Sequence, residues 1–134
     1  MPNTKKFSIL FKIKEHCLPN KNPKYRLWLD GTLTDFITEC SFGPHQISIE
    51  LLNKEPNDTI IGPDGTVLQD LALELLELVV DGIDISHHVK HHAIYSTADG
   101  FEKTYGYMHK NGIITFDFTC PVFYYLRNLQ TVRT

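Results

Sequence analysis

The spacing of turn signals constrains this chain most. Pro19-Asn20-Lys21-Asn22-Pro23, Asp30-Gly31, Gly43-Pro44, Pro56-Asn57-Asp58, Pro63-Asp64-Gly65, Asp81-Gly82, Asp99-Gly100 and Asn111-Gly112 interrupt the sequence. Gly, Pro, Asn and Asp supply the backbone angles and local hydrogen bonds that tight turns require. Between the turns lie short runs rich in Phe, Ile, Val, Tyr and Thr. Short strands with turn signals at such regular intervals imply an all-β sandwich or barrel. There is no long linker, low-complexity tract or internal repeat, so residues 1–134 read as a single β-sandwich domain.

Several strands carry a period of two. Phe7, Ile9, Phe11 and Ile13 alternate with Ser8, Leu10, Lys12 and Lys14. Tyr25, Leu27 and Leu29 alternate with Arg26, Trp28 and Asp30, and Leu33 to Phe42 is expected to return as their partner. Ile47, Ile49 and Leu51 alternate with Gln46, Ser48 and Glu50. Asn111-Gly112 reads as a hairpin turn before a strand over 113–119, with Ile114, Phe116 and Phe118 on the core face. Val122 to Leu126 makes one more short run.

The segment from Leu68 to Val80 is ambiguous. Its Leu, Ala and Glu content suits a helix, and positions 68, 71, 72, 75, 76 and 79 would form one apolar stripe. As a strand it would alternate Leu71, Leu73 and Leu75 against Ala72, Glu74 and Leu76, stopping at Asp81-Gly82. Physical propensity leaves the two readings level.

Composition excludes several classes. Apolar residues make up 42% and charged residues 22%, which is globular rather than disordered. A formal charge of −3 lacks the basic footprint of nucleic-acid binding. No apolar run approaches the roughly 20 residues of a membrane helix, and lysines interrupt the N-terminal stretch where a signal peptide would be apolar. Cys17, Cys40 and Cys120 are odd in number, widely spaced and without a CxxC pair. They read as free thiols in a reducing cytoplasm.

From Tyr25 to Ile85 the order of motifs resembles small proteins of tailed bacteriophages. A strand ends in a DG turn, then come H-x-I-x-I-E, N-K-x-P-x-D-T, a D-G-x-x-x-x-D loop and an apolar strand closing on DGI. The ending YGYMHKNGIITFDFTCPVFYYLRNL resembles those proteins' ending. A more distant similarity is to calcium-dependent, xylan-binding carbohydrate-binding modules. It is carried by Leu29-Asp30-Gly31, Ile47-Ser48-Ile49, Asn57-Asp58, Asp70 and Asp81-Gly82-Ile83, without those modules' dense acidic cluster beside exposed aromatics. Both resemblances imply an antiparallel, jelly-roll-like β-sandwich and the strand reading of 71–80.

The resemblance further implies a non-enzymatic virion component, made in the host cytoplasm, that decorates a capsid, neck or tail. Other virion proteins are its expected partners, and no nucleic acid or membrane is expected. The alternative is a calcium-dependent module recognising a host-surface glycan. Under that reading Tyr105 and Tyr107, freer than the core aromatics, stack on sugar rings. No cofactor is required. If calcium binds, Asn57, Asp58 and Asp70 are its ligands; the same aspartates also read as turn caps. Phe123-Tyr124-Tyr125-Leu126 places four large apolar side chains in a row, too many for one sandwich face, and implies a homo-oligomer or partner interface.

His87-His88-Val89-Lys90-His91-His92 reads as a polar loop or edge segment. As a helix it would pair His87 with His91 and His88 with His92 at zinc-ligand spacing, yet no third ligand is framed nearby. No P-loop, nucleophile elbow or dinucleotide-binding glycine loop is present.

Overall fold

The structure is a computed structural model that describes residues 6–103 and 105–122. In chain order the elements are β1 (Phe7–His16), β2 (Tyr25–Leu29), β3 (Thr32–Thr34), β4 (Ile37–Cys40), β5 (Gly43–Leu51), a 3-10 turn (Pro56–Asp58), β6 (Thr59–Ile61), β7 (Val67–Asp70) and β8 (Ala72–Val80). They continue with β9 (Ile83–Asp84), α1 (Ser86–His92), β10 (Ile94–Thr97), β11 (Gly100–Glu102), β12 (Tyr107–Met108) and β13 (Gly112–Cys120).

The strands make two antiparallel sheets packed face to face, an all-β sandwich. One runs β12-β8-β1-β4, with β9 added beside β8. The other runs β11-β10-β13-β5-β2-β3. Among the described residues, strands β6 and β7 pair only with each other. The inner faces follow from the period-two pattern. Phe7, Ile9 and Phe11 of β1 meet Ile47, Ile49 and Leu51 of β5 and Ile114, Phe116 and Phe118 of β13 in one buried cluster. Each such side chain contributes about 2–3 kcal/mol by leaving water.

The ambiguous segment resolves as strands β7 and β8, and its helix-like look has a local cause. Opposite β1, the register steps from Lys12↔Glu77 to Ile13↔Leu75 and leaves Leu76 unpaired. This bulge changes which parity faces inward. Leu73 and Leu75 are buried on one side of it, Leu78 and Val80 on the other, and Leu76 is exposed.

Two DG pairs turn hairpins as the sequence implies. Asp30-Gly31 (φ 52° and 80°) joins β2 to β3, and Asp81-Gly82 (φ 52° and 79°) joins β8 to β9. Positive φ at both central residues is the type I′ geometry that suits strand twist.

Three expectations change. The return after β2 is not one strand from Leu33 to Phe42. It divides at Asp35-Phe36, and β4 crosses to the other sheet to pair with β1. Asn111-Gly112 does not turn a hairpin either, because β12 pairs with β8 whereas β13 pairs with β10 and β5. Gly112 is there for a close approach: a Cβ on it would lie 2.3 Å from the Ser96 carbonyl oxygen. Finally, the histidine run is helical. Ser86–His92 forms α1, anchored by buried Ile85 and Val89, while the Asp84 carboxylate accepts from the Ser86 amide at 2.9 Å and the Ser86 hydroxyl at 2.5 Å. Those two bonds hold the Asp84 carboxyl below the usual carboxylate range. The run Phe123-Tyr124-Tyr125-Leu126 lies outside the described residues.

Candidate functional site

Two features stand out at the surface: an apolar arm and a groove beside its base. The arm is the β6–β7 hairpin. Ile60, Ile61, Val67 and Leu68 are 42%, 60%, 58% and 62% exposed, on a ribbon that among the described residues pairs with neither main sheet. Adjacent strand residues point to opposite faces, so Ile60 and Ile61 leave both faces of the ribbon apolar.

Two lysine–aspartate pairs fasten the arm at its base. The Lys21 ammonium donates to the Asp58 carboxylate at 2.6 Å. Asp58 also accepts from the Glu55 amide at 2.8 Å, closing the 3-10 turn that leads into β6. These bonds, Lys21 first, hold the Asp58 carboxyl below its ordinary value. At the other strand, the Lys54 ammonium donates to Asp70 and, at 2.7 Å, to the Leu71 carbonyl. Thr59 donates its hydroxyl to the same Asp70 carboxylate at 2.8 Å.

Asp58 and Asp70 read from the sequence either as calcium ligands or as turn caps, and neither reading includes the lysines that pair with them. The structure brings both to the base of one loop, where the Leu71 amide donates to the Asp58 carbonyl at 3.1 Å. Each carboxylate faces an ammonium there, the arrangement of two ion pairs rather than of a shared oxygen cage for calcium. Asn57 sits in the 3-10 turn with its side chain exposed. Among the described residues, no three His, Cys, Asp or Glu side chains converge as a metal site, and this includes the stacked His87 and His91 rings, 6.4 Å apart.

The groove, about 580 Å³, runs between the Lys54–Thr59 loop and the segments 97–99 and 109–111. Asn111 ties its two walls together. Its side chain accepts from the Lys54 amide at 2.7 Å and donates to the Lys54 carbonyl at 2.8 Å. Along one wall the Lys110 ammonium donates to Glu102 at 2.7 Å and to Asp99 at 3.3 Å. These acceptors hold the Lys110 amine above its ordinary range. Below it, the Tyr95 hydroxyl accepts from the Lys110 amide at 3.0 Å and donates to the Lys110 carbonyl. Burial pushes the Tyr95 phenol up to about 12.

Tyr105 and Tyr107 flank Gly106 but have different neighbours. Gly106 adopts φ 85°, and its carbonyl accepts from the Leu75 amide at 2.9 Å. Tyr105 is exposed beside His91 of α1, with ring centres 6.1 Å apart. Tyr107 is half-buried between His16 at 5.3 Å and His109 at 6.4 Å. Burial, then the charges of Asp70 and Glu74, raise the Tyr107 phenol. His16 in turn bonds Glu74 at 3.0 Å. Neither tyrosine lines the groove; Tyr107 stacks on His109, which does.

Sequence reasoning missed Lys21, Lys54 and Lys110, and read Asn111 only as a turn residue. Lysine pairing across 37 residues, as for Lys21 and Asp58, leaves no local pattern to read.

The class defined by these features is an all-β antiparallel sandwich with a projecting apolar arm and a groove at its base. No family model, curated protein or solved structure matches the chain. Among the described residues no helix is long and apolar enough to cross a membrane.

Proposed function

We propose that this chain is a non-enzymatic structural component of a bacteriophage particle, a decoration or adhesion protein of the capsid, neck or tail. Its work is binding, its partners are other virion proteins or further copies of itself, and its place is the virion after synthesis in the host cytoplasm. The resemblance across Tyr25 to Ile85 supports the particle. The observation that carries the binding role is the β6–β7 arm. Four large apolar side chains held in solvent on a separate ribbon form the kind of patch that marks a contact surface.

The test is the double variant Ile61→Ser with Leu68→Ser. Both side chains are exposed, so stability should change by less than about 1 kcal/mol. Incorporation into particles should fall at least severalfold. A folded variant that loads like the wild type contradicts the arm's role.

The groove favours a second reading, a module that binds a host-surface glycan. A cleft of about 580 Å³ with His109, Lys110 and Asp99 on one wall offers donors and acceptors to a hydroxyl-rich ligand. Retention of the protein on host-cell polysaccharide, lost in His109→Ala, supports this reading; equal elution of both proteins with the void rejects it.

A further inference from the structure

Cys40 and Cys120 come from opposite sheets and meet inside the sandwich. Cys40 ends β4, the edge strand beside β1, and Cys120 ends β13 in the other sheet. Their sulfurs are 3.3 Å apart and both residues are buried. They are separated by 80 positions in sequence. Cys17 is exposed.

We propose that Cys40 and Cys120 are an oxidative cross-linking site, a dithiol that closes to a disulfide and locks the two sheets together. Sulfurs already in contact need to approach by little more than 1 Å to reach the roughly 2.05 Å of an S–S bond. Disulfide geometry is otherwise demanding, and two cysteines chosen at random in a chain of this length would rarely meet. A peroxide is a sufficient oxidant. One thiolate attacks a peroxide oxygen and the O–O bond breaks, giving a sulfenic acid and hydroxide. The second sulfur, losing its proton, attacks the first; the S–S bond forms and the sulfenic oxygen leaves as water. Two thiols are oxidised and one hydrogen peroxide is reduced to two waters.

Access is the kinetic constraint. Burial raises both thiols above their ordinary range, so the reactive thiolate is scarce in the closed fold. β4 is only four residues long and lies at a sheet edge, so its opening is the shortest route by which Cys40 would meet an oxidant. The reaction should therefore be slow at neutral pH and faster in mildly alkaline solution.

The lock should be felt in stability, because a cross-link closing so long a loop restricts the unfolded chain strongly. For a domain of this size the melting temperature should rise by on the order of 10 °C.

The experiment compares the full chain reduced with dithiothreitol and oxidised with hydrogen peroxide. Alkylation under denaturing conditions followed by peptide mass mapping reads the pairing, and thermal unfolding reads the lock. The expected result is one Cys40–Cys120 cross-linked peptide with Cys17 free to alkylate, and a higher melting temperature in the oxidised protein. Cys17→Ser should retain both effects, and Cys120→Ala should abolish both. Full alkylation of Cys40 and Cys120 after oxidation, or cross-links that run through Cys17, would overturn the site. A cross-linked protein that melts no higher than the reduced one would overturn the lock. Should Cys120→Ala fail to fold, the oxidised and reduced wild type still decide.

Discussion

Lys54 and Asp70 form an ion pair in which the lysine side chain is 9% exposed and the carboxylate 16%. A pair so far from water is held in place by its other bonds. Lys54 also donates to the Leu71 carbonyl, and Asp70 also accepts from Thr59. The pair joins the loop before the 3-10 turn to the end of β7, so it sets how the apolar arm leaves the sandwich.

Removing one partner should therefore cost much more than a surface salt bridge does. Lys54→Met keeps the aliphatic stem and strands the Asp70 carboxylate. We expect a loss of about 2–4 kcal/mol, a fall of roughly 8–15 °C in melting temperature. Adding Asp70→Leu to Lys54→Met should recover part of the loss, because the uncompensated charge is gone. Urea unfolding of the two variants measures it; a cost below about 0.5 kcal/mol for Lys54→Met would mean the pair is solvated.

The same geometry bears on calcium. A cation bound only by the folded state at a hundredfold excess over Kd would add about 2.7 kcal/mol. With an ammonium already on each of Asp58 and Asp70, we expect no change in melting temperature between millimolar calcium and chelator. Asp70→Ala should lower the melting point equally in both. A rise of several degrees with calcium, lost in Asp70→Ala, would show that the cation displaces the lysines.

The aspartates show what was legible in the sequence. Asp58 and Asp70 stand out in the sequence because turn chemistry marks such aspartates locally, and the structure puts both at the base of one loop. Their partners Lys21 and Lys54 were not readable, since pairing depends on how distant loops fold back. The core was plain wherever alternation ran unbroken, as in β1, β5 and β13. It was obscured in β8, where the bulge at Leu76 mixes two phases into a helix-like apolar pattern. Asn111-Gly112 misled for another reason. The pair carries a hairpin signature, yet its asparagine is spent on the Lys54 backbone and its glycine on clearance from Ser96. The histidine run was misread because a single helical turn or two on the sandwich rim, fixed by buried Ile85 and Val89, has too short a pattern to declare itself.

Acid should act on the base of the arm. Lys21 first, and the Glu55 amide, hold the folded Asp58 carboxyl below its unfolded value. A depressed folded value means the stabilisation is complete above the ordinary carboxylate range, near pH 4, and is lost as pH falls below it. We expect stability to decline below about pH 4, and Lys21→Met to move the Asp58 titration upward. Carboxyl chemical shifts followed by NMR read this directly; an Asp58 titration indifferent to Lys21→Met would remove the pairing from the account.

Gly112 should tolerate no side chain. The Ser96 carbonyl that a Cβ would strike belongs to the neighbouring strand β10, so relief requires the β10–β13 ladder to separate. We expect Gly112→Ala to cost at least about 3 kcal/mol, in the range of severe overpacking and backbone strain. Calorimetry checks it, and a loss under about 1 kcal/mol would place β10 further from β13 than described.

The central claim is that this chain is built into a bacteriophage particle, and the direct test is quantitative mass spectrometry of density-gradient-purified particles from cells producing it. The account predicts that the chain sediments with the particles at a fixed ratio to the major capsid protein, and that the ratio survives a high-salt wash because the contact is apolar. Recovery of the chain only in the soluble fraction at the top of the gradient would contradict it.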